Sequence, residues 1–353
     1  MKRRVERITI ENFRGISHLE LTDFARINIF IGKNGVGKST VLEAIYLNTT
    51  WGGRDLLRRH PIKTILFRRG LNPYIRKQLG EEDPMVYVSY FFREPNEPIT
   101  ISSNITTSEL KLWNSPTLDR YVSEETEQRF VIMANYGGPV VEIEPVEYGE
   151  YTRYVLKWPR YYSPSRKRSI LLDDNTFRTP YYGTSSISEI IIKLEEVSSV
   201  DVEDLKAFLE KILRSPIKKV SRKVAEIVLL TENEEKVPMS LLGDGIKTAM
   251  GYYYALNTEK PIIVLLEEPE NHLHPGLMKI VAEEIAKTES QVFITTHSLE
   301  FLEYLLDSCS KLSSDSDVKV FRFKSIENGV PDVEVYSGSE ANVAINSIGV
   351  DLR

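Results

Sequence analysis

The sequence predicts an α/β domain divided along the chain by a β-rich and helical insertion. Three observations carry that expectation. A dense apolar run at residues 27–31 meets the glycine-bounded segment Gly32-Lys33-Asn34-Gly35-Val36-Gly37, after which apolar residues recur at helical spacing. A second apolar run, at 262–266, ends in two carboxylates, Glu267 and Glu268. A third, at 292–295, follows helical spacing at 277–287, giving a strand–helix–strand unit with a right-handed crossover.

Taken in order, residues 5–10 alternate apolar and polar and predict a strand. Asn12-Phe13-Arg14-Gly15 predicts a turn, and Leu19 and Leu21 a second strand. The run at 27–31 reads as a strand buried on both faces, and 38–47 as a helix carrying Val41, Ile45 and Leu47. From Met85 the pattern changes. Tyr87, Tyr90, Phe91 and Phe92, then Ile99, Ile101 and Ile105, predict antiparallel strands, as do 130–133 and 140–143. Residues 161–186, polar and holding Pro164 and Pro180, predict a long loop. Residues 187–213 predict two helices, the second with Asp201 or Asp204 as cap. A strand is expected at 224–230, and a helix after the glycines at 243 and 245. The division is therefore 1–80 for the first part of the core, 81–220 for the insertion and 221–353 for the second part.

Composition sets bounds. A chain of 353 residues, 41% hydrophobic and 27% charged, builds a real core. A net charge of −6 excludes a globally basic nucleic-acid coat and leaves room for local basic patches. The single cysteine, Cys309, excludes an internal disulfide framework and a cysteine metal cluster. The charged start Met1-Lys-Arg-Arg has no apolar signal core, and the buried runs fall far short of a membrane span. A cytoplasmic protein without membrane partners is expected.

Gly32-Lys33-Asn34-Gly35-Val36-Gly37-Lys38-Ser39 fits the phosphate-loop pattern G-x-x-x-x-G-K-[ST]. Glycines let backbone N–H groups turn inward around phosphate oxygens, and the following helix adds its positive dipole end. Lys38 would reach the β- and γ-phosphates, and the Ser39 hydroxyl would ligate Mg²⁺. Thr40 continues the nucleotide-binding run. About one chain in a hundred of this length matches by accident, but the strand-before, helix-after context favours a working loop.

A buried strand ending in Glu267-Glu268-Pro269 places both carboxylates at the carboxyl edge of the sheet, where ligands of open α/β folds bind. Glu267 is the candidate for Mg²⁺, directly or through water, and Glu268 the candidate to orient or deprotonate the attacking water. Alone, such a pair is more often a solvated acidic turn; with a phosphate loop upstream, the functional reading is better. His297, closing the strand Val292-Phe293-Ile294-Thr295, is placed to sense a γ-phosphate, or equally to be a satisfied structural histidine. His272 and His274 read as packing or interface residues rather than metal ligands. Ser240-Leu241-Leu242-Gly243-Asp244-Gly245 forms a second glycine-rich helix start, hence a second anion site or simply a capped turn.

These residues resemble a known group. Ile10-Glu-Asn-Phe-Arg14-Gly with the phosphate loop is similar to the start of RecF-type and SMC-type ATPases of the ABC superfamily. Leu266-Glu-Glu-Pro-Glu270-Asn-His-Leu-His-Pro275 and Ile294-Thr-Thr-His297-Ser resemble their Walker B, D-loop and switch-histidine segments. The Leu-Gly-Asp-Gly form of the signature resembles that of OLD (overcoming lysogenization defect) nucleases and their stand-alone AAA-like relatives, as does the closing Val320-Phe-Arg-Phe-Lys. The resemblance covers about 1–80 and 215–353. It implies a P-loop NTPase of ABC-ATPase type that hydrolyses ATP with Mg²⁺. It also implies a head-to-tail homodimer in which Ser240, Gly243, Asp244 and Gly245 grip the γ-phosphate across the interface, with Arg14 near the phosphates in cis. Glu267 stands where aspartate is usual, two leucines separate Ser240 from Gly243, and the Q-loop glutamine has no assigned position, Gln78 being a candidate without further support.

Partners follow from analogy and from charge. Residues 151–169 interleave Arg153, Tyr154, Lys157, Trp158 and Arg160 with further rings and cations, a pattern suited to DNA or to a half-buried strand. Arg54, Arg58, Arg59, Arg68 and Arg69 form a second basic cluster, and Lys218, Lys219, Arg222 and Lys223 a third. The stretch after His297 is too short for the TOPRIM nuclease domain of longer relatives. The expected roles are an ATPase serving a separate effector, such as a nuclease in phage defence, or a RecF-like repair ATPase. A transporter subunit is disfavoured by Asn12-Phe13-Arg14-Gly15 and the divergent signature.

Overall fold

In the computed structural model the described residues are 4–50, 54–59, 61–69, 91–94, 97–110, 130–132, 141–148, 151–157, 169–174, 176, 187–223, 226–312 and 314–348. Gln78, Met85, Tyr87 and Tyr90 lie outside them, as do residues 158–168.

The chain opens with a hairpin, β1 (Ile8–Phe13) and β2 (Ile16–Leu21), turned at Arg14 and Gly15. The expected strand at 5–10 thus begins later. Val5 is buried, but its backbone N–H and carbonyl are both taken by the Gln291 side chain, at 2.8 Å each, instead of by a strand. β3 (Ile27–Gly32) is buried throughout and leads into α1 (Lys38–Thr49). Eleven of the twelve α1 residues are buried, which is why its apolar residues show no single face. α2 (Pro61–Arg68) follows.

β4 (Ile99–Ser103) and β5 (Thr107–Leu110) come next, then β6 (Phe130–Ile132), β7 (Val141–Tyr148) and β8 (Tyr151–Lys157) as a separate antiparallel meander. β9 (Ser169–Leu172) precedes the helices α3 (Ile187–Glu195) and α4 (Val202–Leu213). Asp201 is the α4 cap, accepting from the Asp204 backbone in a reciprocal capping box. β10 (Ile217–Lys223), β11 (Glu226–Thr231) and β12 (Lys236–Pro238) form a small antiparallel sheet. After it come α5 (Asp244–Leu256), β13 (Ile263–Glu267), α6 (Pro275–Lys287), β14 (Gln291–Thr295), α7 (Leu299–Leu312), β15 (Val318–Glu327), β16 (Val330–Ser337) and α8 (Gly338–Ile348).

The central sheet has the order β9-β13-β14-β3-β15-β16, parallel except for the β16 edge. Alternate residues of its strands feed two cores. Ile29, Val264 and Ile294 face α5, α6 and α7, whereas Phe30, Leu265 and Phe293 face α1 and the antiparallel sheet β2-β1-β4-β5. Register aligns the carboxyl ends: Glu267 lies opposite Thr295, and Thr295 opposite Phe30. This is the α/β phosphate-loop fold that the sequence predicts.

The long loop expected at 161–186 is corrected at residues 169–172; residues 161–168, 175 and 177–186 lie outside the described residues. Ser169–Leu172 is a fully buried strand paired in parallel with β13. Its apolar run of three residues, Ile170, Leu171 and Leu172, is too short to stand out beside polar neighbours. Likewise β4 pairs with β1, so residues within 81–220 extend both sheets of the core. Among the described residues no helix is long and apolar enough to cross a membrane.

Candidate active site

The phosphate loop starts where β3 ends. Gly32 has φ +137°, and a Cβ there would lie 2.2 Å from the Phe323 carbonyl oxygen of β15. Only glycine lets β3 approach its neighbour so closely while turning the chain outward. Gly37 caps α1 in the left-handed region with no side-chain cap, so the first-turn N–H groups face the loop. Lys33, Asn34 and Gly35 are exposed, Ser39 is half-buried, and Val36, Lys38 and Thr40 are buried. Lys38 folds back over the loop, its Nζ donating to the Gly32 and Lys33 carbonyls at 2.7 Å each. Burial lowers its pKa to about 8, against the opposing pull of the Glu268 carboxylate.

The acidic pair sits at the carboxyl end of β13. Glu268 has φ +45°, a conformation costly for a side chain with a Cβ, and its N–H donates to the Thr295 carbonyl at 2.9 Å. Asn271 Nδ2 donates to Glu268 Oε2 at 3.1 Å, and Glu268 Oε1 lies 3.5 Å from His297 Nε2. Burial and then the Lys38 charge lower the His297 pKa, with Glu268 opposing, so the imidazole is neutral at pH 7. Lys38, Glu268 and His297 therefore share one electrostatic neighbourhood.

Glu270 was not singled out by sequence reasoning, although it lies within the quoted acidic motif. Its buried Oε1 accepts from Thr296 Oγ1 at 2.7 Å, His297 N at 3.1 Å and Ser298 N at 3.2 Å. It thus ties the segment after β13 to the segment after β14. Burial holds its carboxyl above the usual range.

Glu267 is mostly buried and contacts Arg68 through Oε2. Among the described residues its Oε1 has no protein partner. Oε1 and the Ser39 hydroxyl are hard oxygen donors suited to Mg²⁺, which takes one or two protein oxygens and completes its shell with phosphates and water. Arg14 does not lie free: it contacts the fully buried Glu43 of α1, which also receives Arg69 Nε at 2.9 Å. Arg59 pairs with Asp55 at 2.7 Å. These internal pairs correct the reading of Arg59, Arg68 and Arg69 as a basic surface cluster; arginines spaced for phosphates are equally spaced for carboxylates. The side chains of the other aromatic and basic segment, 151–168, lie outside the described residues.

The second glycine cluster begins at the surface. Ser240 belongs to the 3₁₀ turn Met239–Leu241 and is exposed; Leu241 is 77% exposed and Gly243 caps α5. A Cβ on Gly245 would lie 2.8 Å from the His272 carbonyl oxygen, so the start of α5 packs on the segment after Glu270. Asp244 pairs with Lys247 at 2.9 Å. His274 Nδ1 caps α6 by accepting from Gly276 N, and His272 Nε2 lies 3.1 Å from Asp174. Both histidines are exposed, His272 facing a carboxylate and His274 serving as a helix cap.

The family described as "AAA domain, putative AbiEii toxin, Type IV TA system" matches residues 27–303, from β3 through His297. The chain belongs to this family. It is an ATPase of the AAA type. It is 22% identical over 375 aligned residues to an "ATP/GTP phosphatase" of Helicobacter pylori, covering 96% of this chain and 99% of that protein. It is 39% identical over 59 residues to the "DNA replication and repair protein RecF" of Lactobacillus acidophilus, 15% of this chain and 16% of that protein. A solved SMC head bound to the C-winged helix domain of ScpA superposes with a TM-score of 0.48 at 14% identity, covering 96% of this chain and 100% of that chain.

Proposed function

We propose that this family member binds ATP at the phosphate loop, hydrolyses it with Mg²⁺, and uses the cycle to close and open a head-to-tail homodimer that switches a partner effector. The observation that carries the reading is the convergence of Lys38, Glu268 and His297 on aligned strand ends. The Lys38 charge would neutralise the β- and γ-phosphates, and the N–H groups of Gly35, Gly37, Lys38 and Ser39 would cradle them. Glu268 would orient and deprotonate the attacking water. His297, neutral and 3.5 Å from Glu268, would contact the terminal phosphate and register its loss. Bound Mg²⁺ supplies Lewis-acid stabilisation of charge on the phosphates; Ser39 and Glu267 would hold it.

The exposed Ser240, Leu241 and Gly243 support the dimer, because a second anion-binding helix start on the surface is of use to the partner's nucleotide. The core then comprises 1–80 and 221–353, with β4, β5 and β9 contributed from within 81–220. The effector is a separate protein, a nuclease among the candidates. The RecF likeness favours DNA as a second reading, which DNA-stimulated turnover would support.

Glu268→Gln is the test. With saturating ATP, light scattering should show the mass of two chains, reverting when ATP is removed. A single-chain mass at saturating ATP contradicts the proposal.

A further inference from the structure

Arg68 sits at the end of α2 with its side chain only 3% exposed. Its guanidinium meets three carboxylates: Nε lies 2.6 Å from Asp173 Oδ2, Nη1 lies 3.3 Å from Glu43 Oε1, and Nη2 contacts Glu267 Oε2. Two of those carboxylates have other partners. Glu43 holds Arg14 and Arg69, and Asp173 Oδ1 accepts from Thr176 N at 2.8 Å and Thr176 Oγ1 at 2.6 Å. Burial works against the charge of Asp173, yet Arg68, Thr176 and Arg59 hold its carboxyl below the usual range. Glu267 differs. Among the described residues, Arg68 is its one side-chain partner, and that contact uses one oxygen.

We infer that Arg68 is a positioning residue that clamps Glu267 by Oε2 and thereby presents Oε1 to the nucleotide-bound metal ion. The inference rests on the reading of Glu267 as a Mg²⁺ ligand. Glutamate is one methylene longer than the aspartate usual at this place, so its carboxylate has one more rotor to fix. Mg²⁺ demands near-ideal octahedral geometry, which a loosely held carboxylate does not supply. A planar guanidinium, itself hydrogen-bonded to Asp173 through Nε and ion-paired with Glu43 through Nη1, removes that freedom. The anchors matter. Asp173 directly follows β9 and Glu43 lies on α1, so the clamp joins the sheet edge and the phosphate-loop helix to the end of β13. Partners that orient a metal-ligating carboxylate typically set metal affinity by about 10- to 100-fold.

The test measures binding, with no turnover involved. A fluorescent non-hydrolysable ATP analogue is titrated into the full chain in EDTA and in Mg²⁺, and the metal-dependent tightening is the ratio of the two affinities. In Arg68→Met we expect that tightening to fall by about tenfold or more, with the EDTA affinity unchanged. Arg68→Lys should recover part of it, because charge returns without the fork. Asp173→Asn, which loosens the anchor and leaves Glu267 untouched, should lose a smaller part and serves if Arg68→Met does not fold. Glu267→Gln must lose the tightening as well. If Glu267→Gln loses it and both Arg68→Met and Asp173→Asn keep it, the clamp is overturned and the metal assignment stands. If Glu267→Gln keeps it, both fall. A gain of tightening in Arg68→Met also overturns the inference, since Arg68 would then be competing with the cation.

Discussion

Replacing Glu270 first by alanine and then by glutamine separates its role as acceptor from its charge. The carboxylate oxygen Oε1 satisfies Thr296 Oγ1, His297 N and Ser298 N. Ser298 N keeps a second partner, Thr296 Oγ1 at 3.0 Å, so Glu270→Ala strands two donors. Each stranded donor costs about 1–3 kcal/mol, and removing a desolvated carboxylate offsets part of that. The expected loss is about 2–4 kcal/mol in urea unfolding. Turnover should fall toward that of His297→Ala, because the backbone carrying the imidazole is released. Glu270→Gln keeps the accepting oxygen and should retain both stability and turnover. The sign of the pH dependence follows from the raised carboxyl pKa. The folded chain holds this proton more tightly than the unfolded chain. Its stabilising contribution is complete below the ordinary value of 4.5 and is lost as pH rises through the folded value. Glutamine has no such proton, so the stability of Glu270→Gln relative to the parent should grow as pH rises above 4.5 and then level off. Equal stability of the alanine and glutamine variants at neutral pH would refute the reasoning.

Other outcomes follow from the same site. With a pKa of about 8, Lys38 is largely neutral in the free protein at pH 8.5, and phosphates favour its charged form. Nucleotide binding should therefore take up about 0.8 proton at pH 8.5 and about 0.1 at pH 7, read by calorimetry in buffers of different ionisation enthalpy; Lys38→Met should show neither. Gly32→Ala forces a Cβ against the Phe323 carbonyl at positive φ, and should cost about 2 kcal/mol or more in thermal unfolding. Leu241→Asp alters an exposed side chain, so stability should stay within about 0.5 kcal/mol. In a Glu268→Gln background it should prevent ATP-dependent doubling of mass in light scattering.

What was legible in the sequence was whatever lies in one contiguous motif. The phosphate loop, the Glu267-Glu268 pair and His297 are each fixed by a strand end, and parallel strands in register bring those ends together. Strand β9 was hidden because its three apolar residues, Ile170, Leu171 and Leu172, lie in a polar stretch and show neither length nor alternation. Arg68 carried no local mark of its role. Its partners Glu43, Asp173 and Glu267 come from distant parts of the chain, and an arginine among arginines reads as a surface patch until its carboxylates are seen. Glu270 was in plain view, but its function depends on burial and on the backbone of residues 296–298, which spacing does not encode.

The most direct measurement of the central claim is single-turnover hydrolysis of ATP by Glu268→Gln beside the parent chain. Nucleotide affinity should match the parent, while the rate of cleavage falls by about 10²- to 10⁴-fold, the usual cost of removing a general base. Cleavage at the parent rate would contradict the assignment of Glu268, and with it the catalytic reading of the Lys38, Glu268 and His297 cluster.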